Sequence, residues 1–464
     1  MAAQLIDRLA SFILLGVMAG AGSPAWCADV TPPTAVTPPA AALPSAAAVI
    51  VPTDEAWAVH GQLTYVEQDS NSFNAPYAGP NSLTPDQGRE TVDGTLYLGA
   101  RLGSGTEIWI NPEIDQGFGL DNTLGVAGFP SAEAYKVGKK QPYLRLPRLF
   151  VRSDLDLPGE RETLEAGANQ LGGERSVNRW VFTVGKFSVV DIFDVNQYAH
   201  DPRGDFLNWS AVDAGSFDYA ADAWGYTVGA AAEWYQGAWT TRIGVFDLSN
   251  VPNSVHLDPG FHEFQMIAEI ERRYQIADRP GKLMVTGFDS RGRMGLLNSA
   301  VDLAIETGQP VDIAAVRQYR SRMGVSLNLE QQLAGDLGFF ARAGKAAGNV
   351  EPYEFTDIDR SVEAGLSLKG TNWFRGDDTV GLAAIDNGIS AARERYLNAG
   401  GLGILVGDGK LPHPGTEGII ETYYDAAVFA HAQVTLDYQY IDHPAYNRDR
   451  GPVSVIAVRV HAQF

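Results

Sequence analysis

The chain has a single cysteine, Cys27, in 464 residues, so no intrachain disulfide can form and no thiol cluster can hold a metal. Basic side chains are in short supply. Lys and Arg number 35 against 56 Asp and Glu, a formal net charge of -21, which argues against nucleic acid or an anionic membrane surface as partner because either is repelled at every approach. Hydrophobic residues make up 45% of the chain, yet past the N-terminus no apolar run approaches the roughly 20 residues that a spanning helix requires. A helical membrane protein is excluded.

Catalytic signatures are also missing or broken. His262-Glu263 is followed by Phe264, Gln265 and Met266, without the second histidine of a zinc-protease helix. Gly401 and Gly403 lead to Val406 where a dinucleotide fingerprint needs a third glycine, and no G-x-S-x-G elbow occurs. The eight histidines are scattered and form no recognisable metal set. No enzyme, no cofactor and no metal site is expected.

The one apolar run, Leu9 to Gly22, follows Arg8 and ends at Ser23-Pro24-Ala25, the pattern of a secretory signal peptide over 1–28. Cleavage after Cys27 places Ala25 at the minus-three position; cleavage after Ala28 places Trp26 there, a poorer fit. Pro24-Ala25-Trp26 does not match a lipoprotein box before Cys27. Residues 29–53, with Pro32-Pro33 and Pro38-Pro39, read as an extended linker. This linker is too short to form a folded plug.

From Trp57 onward the sequence alternates. Trp57, Val59, Leu63 and Tyr65 share one parity and His60, Gln62 and Thr64 the other. Successive strand side chains point to opposite faces. The same pattern recurs where Leu96, Leu98, Ala100 and Leu102 oppose Asp93, Thr95, Tyr97 and Arg101. It recurs again where Trp224, Tyr226, Val228, Ala230, Ala232 and Trp234 oppose Gly225, Thr227, Gly229 and Glu233. Charges sit mid-strand on the polar parity, among them Glu107, Glu113 and Glu363. Trp57, Tyr65, Trp224, Trp234, Trp239, Tyr424, Tyr438 and Tyr440 lie near strand ends on the apolar parity, as in aromatic girdles at two lipid interfaces.

About seventeen segments alternate, and a bacterial barrel with both termini on one side needs an even number. Glu162 to Ala168 is the weakest segment. Without it an all-β fold emerges over 54–464, a transmembrane antiparallel up-and-down β-barrel of about 16 strands. Every long connection, including 117–143, 188–216, 291–315 and 387–415, then falls on one extracellular face. The final segment alternates Ser454, Ile456, Val458, Val460, Ala462 and Phe464 against Val455, Ala457, Arg459, His461 and Gln463.

Between Lys186 and Ser210 the chain is too long for a tight hairpin and too apolar for a solvated loop. Val189, Ile192, Phe193, Tyr198, Phe206 and Trp209 need a surface, and the inner wall of a barrel supplies one. An in-folded constriction loop is expected, with Asp191, Asp194, Asn196, His200, Arg203, Asp205 and Trp209 as the candidate substrate-binding residues. Carboxylates and guanidinium groups bond neighbouring hydroxyls and aromatic faces meet the C–H side of a sugar ring. The same residues also suit capping turns and bracing the loop. Across the lumen, Arg101, Arg242, Arg320, Arg322 and Arg342 with Glu233, Glu269, Glu271, Glu417 and Glu421 are expected to form opposed charge rows with a transverse field.

Several long motifs carry a family resemblance. Gly185-Lys186-Phe187-Ser188, Asp191-Ile192-Phe193-Asp194 and His200-Asp201-Pro202-Arg203 through Asp205-Phe206-Leu207-Asn208-Trp209 resemble the carbohydrate-selective porin (OprB) family. So do Gly167-Ala168-Asn169-Gln170-Leu171, Pro414-Gly415-Thr416-Glu417, Glu421-Thr422-Tyr423-Tyr424 and the stretch from Asp437 to Pro452. The resemblance runs from Trp57 to Phe464. It implies a sixteen-strand barrel, a homotrimer, in the outer membrane of a Gram-negative bacterium. It also implies passive passage of glucose-like monosaccharides and similar small polar solutes, and a final strand ending in Phe464 that the barrel assembly machinery reads. The residues themselves leave other readings open: a general or weakly cation-preferring diffusion porin, a non-conducting barrel that anchors or adheres through 387–415, or an outer-membrane hydrolase.

Overall fold

The computed structural model describes residues 54–134 and 137–464; the expected signal peptide and the 29–53 linker lie outside the described residues. Period-two alternation becomes sixteen long antiparallel strands. They are β1 (Trp57–Ser70), β2 (Gln87–Gly103), β3 (Thr106–Gly117), β4 (Lys139–Asp156), β7 (Arg179–Phe187), β8 (Thr227–Gln236), β9 (Trp239–Asp247) and β10 (Phe264–Ile276), followed by β11 (Arg279–Met294), β12 (Gln318–Gln332), β13 (Leu337–Ala346), β14 (Arg360–Gly370), β15 (Arg375–Gly388), β16 (Glu417–Phe429), β17 (Ala432–Asp442) and β18 (Val453–Gln463). Each pairs with its neighbours in a closed ring, and β1 meets β18 from Gln62↔Gln463 to Ser70↔Val455. Closure leaves no unpaired edge.

The seam is extended by Phe464, whose N–H donates to the Gly61 carbonyl at 3.0 Å while the Gly61 N–H donates back to Phe464 at 3.1 Å. A Cβ on Gly61 would lie 2.5 Å from the Phe464 ring, so the bare glycine lets that ring lie against the β1 backbone. Inside the wall Gly99 does the same for Trp109, whose indole would stand 2.5 Å from an added Cβ.

The outward parity is an apolar belt. Trp57 is 69% exposed and Met323 62%, with Leu63, Ile114, Ile243, Val325 and Val362 also exposed, as side chains that face lipid should be. Trp57, Trp234, Trp239 and Tyr424 mark the end that carries the tight turns, and Tyr65, Tyr438 and Tyr440 lie toward the end that carries the loops. Trp224 departs from the expected girdle. β8 begins only at Thr227, the chain bends at Gly225 (φ 95), and the Trp224 indole N–H donates to the Tyr143 hydroxyl at 2.9 Å inside the barrel. Among the described residues no helix is long and apolar enough to cross a membrane.

The weak segment is not a barrel strand. Its residues form a separate hairpin, β5 (Arg161–Leu164) with β6 (Gly173–Ser176), between β4 and β7. This corrects one expectation. The connections 118–138, 188–226, 295–317 and 389–416 do share a mouth, but 157–178 is a long connection at the opposite, turn-bearing mouth.

Inward-facing charges fasten the loops to the wall. Arg342 on β13 pairs with Asp194 at 3.2 Å and Glu363 at 2.8 Å, and donates to the carbonyls of Ala199, Ala211 and Val212. Glu417 accepts the N–H groups of Ala127, Gly128 and Ala445, and Glu421 those of Leu207 and Asn208. In this way 188–226 enters the barrel, with Phe193, Phe206 and Leu207 fully buried. A short helix, α1 (Trp209–Val212), is started by Asn208, whose side chain accepts the Ser210 N–H.

Arg342→Met would leave Asp194 and Glu363 buried without their shared cation, which should cost roughly 3–5 kcal/mol. The cost should appear as a lower urea midpoint for loss of the compact, heat-modifiable band. Arg161→Ala, in the exposed part of the β5–β6 hairpin, should leave that midpoint in place. Equal midpoints for the two variants would mean that buried lumen charges do not hold the loops.

Candidate functional site

The wall of the site is β2, β3 and β4. Asp93, Glu113 and Asp115 point inward on β2 and β3 and are buried. β4 opposes them with Arg145, Arg148 and Arg152. Their spacing is irregular for a strand, and the register explains it: Arg145 faces Glu113 while Arg148 faces Asn111, three residues against two. The extra residue is a bulge beside Pro147, where a residue without an N–H is tolerated. It turns Arg148 inward, where even alternation would have sent it out.

The remaining sides are loops. Phe129, Ala132 and Glu133 come from 118–138, while Ser188, Asp191, His200, Asp201, Arg203, Trp209 and Asp213 come from 188–226. Ala168, Asn169 and Gln170 come from the turn-side connection. Together they enclose a cavity of about 460 Å³. A second cavity of about 540 Å³ lies toward the turn mouth, lined by Tyr198, Lys369, Thr379, Asp425, His461 and Gln463 among others. Asp201 and Arg203 belong to both linings, so this pair stands in the wall between the two chambers.

Charges in the first cavity are compensated locally. Arg148 grips Asp191 with both ends of its guanidinium, at 2.6 and 2.8 Å, and Arg152 meets Glu107 at 3.2 Å. Arg203 lies among Glu133 at 3.4 Å, Asp93 at 3.6 Å and Glu113 at 4.0 Å. Its Nε is shielded from solvent and faces the Glu133 carboxylate. His200 approaches Asp213 at 3.5 Å. Aromatic faces complete the lining: Trp209 stacks on Phe129 with ring centres 5.6 Å apart and on Phe355 at 5.8 Å, and Arg148 sits 4.9 Å from the Tyr226 ring centre.

Burial sets the proton affinities of the loop groups, and neighbours correct it. Burial pushes the Glu133 carboxyl well above its ordinary value against the pull of Arg203. Burial alone would lower His200, but its contact with Asp213 raises it above the ordinary imidazole value. For Asp191 the Arg148 guanidinium outweighs burial and holds the carboxyl low.

Of the residues expected to bind substrate, Asp191, His200, Arg203 and Trp209 line the first cavity and Asp205 the second. Asp205 also ties its turn together, accepting the N–H groups of His200 and Asp201. Asp194 and Asn196 brace the loop instead. Asp194 is fully buried on Arg342 and accepts from Ala214 N–H, and Asn196 donates to Asn328 at 2.7 Å.

The expected opposed charge rows resolve into local clusters. Arg242 is enclosed by Glu233, Glu269 and Glu271, and Arg322 pairs with Asp218 at 2.9 Å. Glu417 and Glu421 hold loop backbone, as described above. Arg101 donates to the carbonyls of Glu55 and Gly172 near the turn mouth. Arg320, at the start of β12, donates only weakly to Gln318 at 3.4 Å. Arg320 apart, these side chains are engaged in holding the interior together and do not form free rows across it.

Asp93, Glu113, Glu133, Arg148, Arg152, Asp201, Asp213 and Tyr226 were not among the expected site residues. The Arg145-Pro147-Arg148 spacing was the available signal for the β4 arginines. Glu133 left none, because it sits in a loop without periodicity.

The carbohydrate-selective porin, OprB family, matches the sequence over residues 81–464. Among solved structures, the high-pH structure of OprB from Pseudomonas putida superposes with a TM-score of 0.64 at 15% identity, covering 88% of this chain and 94% of that one. The outer membrane channel DcaP of Acinetobacter baumannii gives 0.48 at 10% identity, covering 88% and 97%. At 15% identity the likeness to the Pseudomonas putida structure speaks for the fold. No curated protein sequence matches.

Both raised groups, Glu133 and His200, lose a proton as pH climbs, so the first cavity becomes more negative in alkali. In planar bilayers under a salt gradient, the reversal potential should move toward cation preference from mildly acid to alkaline pH. Glu133→Gln and His200→Gln should each remove part of that movement; a titration that both variants leave unaltered would place the two groups off the ion path.

Proposed function

The chain belongs to the carbohydrate-selective porin family, and from that premise we propose that its first cavity passes glucose-like monosaccharides and similar small polar solutes passively across a Gram-negative outer membrane. The observation that carries this reading is Arg203. It is a guanidinium held among Glu133, Asp93 and Glu113, standing between two chambers beside a cavity lined by carboxylates and aromatic side chains. A pyranose needs this combination. Adjacent hydroxyls take paired hydrogen bonds from charged groups, and the ring's C–H face lies on an aromatic surface.

The charges also suit passage as opposed to storage. Arg148 and Asp191, and Arg203 and its three carboxylates, already satisfy one another, so a sugar exchanges existing contacts for new ones of similar strength. Binding stays weak, as conduction demands. In the same reading the segment 1–28 directs export, the strand ending in Phe464 is recognised by the barrel assembly machinery, and the apolar belt meets outer-membrane lipid.

In planar bilayers the protein should give stepwise conductance that glucose reduces. Conductance indifferent to every sugar tried would point to a cation-preferring diffusion porin, a reading favoured by the net charge of -21. Arg203→Lys, which keeps the charge facing Glu133, Asp93 and Glu113 but loses the planar fork, should weaken the glucose block by about tenfold, the loss of one or two charged hydrogen bonds, with little change in unfolding midpoint. Asp194→Ala should act the other way round, lowering stability by about 2 kcal/mol with a smaller effect on block.

A further inference from the structure

The connection 157–178 is long where the other turn-side links are short, and passage through the cavity described above does not require it. Its eight-residue tip, 165–172, spans the gap between the paired residues Leu164 and Gly173 of the β5–β6 hairpin. Instead of hanging below the barrel, the tip climbs into it. Asn169 accepts at 2.8 Å from the Nδ2 of Asn111, which lies five residues up β3 from Thr106, roughly 17 Å along the strand. Asn169 adopts φ 58, a left-handed conformation that asparagine tolerates better than most residues.

The tip is fastened on every side. Arg152 donates to the Asn169 carbonyl at 2.8 Å, and Glu107 accepts the Leu171 N–H at 3.2 Å. Glu55 accepts the Gly172 N–H at 2.7 Å and donates its own N–H to the Gly172 carbonyl, which Arg101 also reaches at 3.0 Å. Leu171 is 1% exposed and belongs to the same buried cluster as Ala58, Tyr97 and Trp109. Above this anchor, Ala168, Asn169 and Gln170 line the first cavity. A segment with this many wall contacts is a fixed part of the lumen.

We propose that 165–172 is a permanent floor that closes the straight exit beneath the first cavity and sets the Gln170 amide among the groups a solute meets. Solute therefore leaves sideways, past Asp201 and Arg203, into the second chamber and out at the turn mouth. The inference rests on the reading of the lumen as a passage, but not on sugar as its cargo.

Replacing 165–172 with an Asn-Gly turn keeps β5 paired with β6 and removes the floor. In planar bilayers its single-channel conductance should rise about two-fold or more as a second exit opens, with the folded state checked by heat-modifiable migration. A folded variant with wild-type conductance overturns the proposal. Gln170→Glu and Gln170→Lys test the same point without deletion. Under a salt gradient their reversal potentials should move in opposite directions, toward cations and toward anions, and coincident potentials would place residue 170 off the path. Failure of glucose to reduce wild-type conductance would count against the sugar reading alone, because both floor tests are read with salt.

Discussion

The interior of this barrel depends on wall side chains binding loop backbone. A backbone N–H or carbonyl taken out of water needs a partner, and a lumen lined with polar residues can supply one. Glu417 and Glu421 accept N–H groups, Arg342 covers three carbonyls, and Asp218, itself paired with Arg322, accepts from Tyr353, Glu354 and Phe355. Each such bond meets two needs at once, neutralising a buried charge and ordering a loop. The space left between wall and loops is the cavity.

That arrangement explains what could be read from the sequence. Strand parity is a local property that repeats along the chain, so the opening at Trp57, the sixteen-strand ring and the dismissal of Glu162 to Ala168 as a barrel strand all follow from counting. The apolar content of 188–210 likewise announced a segment needing a surface. Parity fails where the backbone slips, and the bulge at Pro147 therefore hid Arg148 and Arg152. It fails again where a strand has not yet begun, which is why Trp224 looked outward. Which loop charge meets which wall charge is set by three-dimensional register. Sequence alone could not separate Asp191, which faces the cavity, from Asp194, which braces the loop three residues later.

The charge pattern has the same origin. Read one strand at a time, Arg242, Arg322 and Arg342 look like a positive row and Glu233, Glu269 and Glu271 like a negative one. In the folded chain Arg242 stands among three glutamates, and the other two are tied to loops. Opposite charges at these separations cancel each other's field over a few ångströms, so these side chains set up no field spanning the pore.

The seam between β1 and β18 sets the order in which the barrel can assemble. Every other barrel pairing joins strands adjacent along the ring and near in sequence, so those ladders can zip progressively with modest loss of chain entropy. The contact of Gly61 with Phe464 spans roughly 400 residues, and bringing ends that far apart together carries the largest loop-closure term in the molecule. Until that last ladder forms, the edges of β1 and β18 remain open strand templates. The incomplete barrel is then a long ribbon with two open edges, and closing it removes both at once.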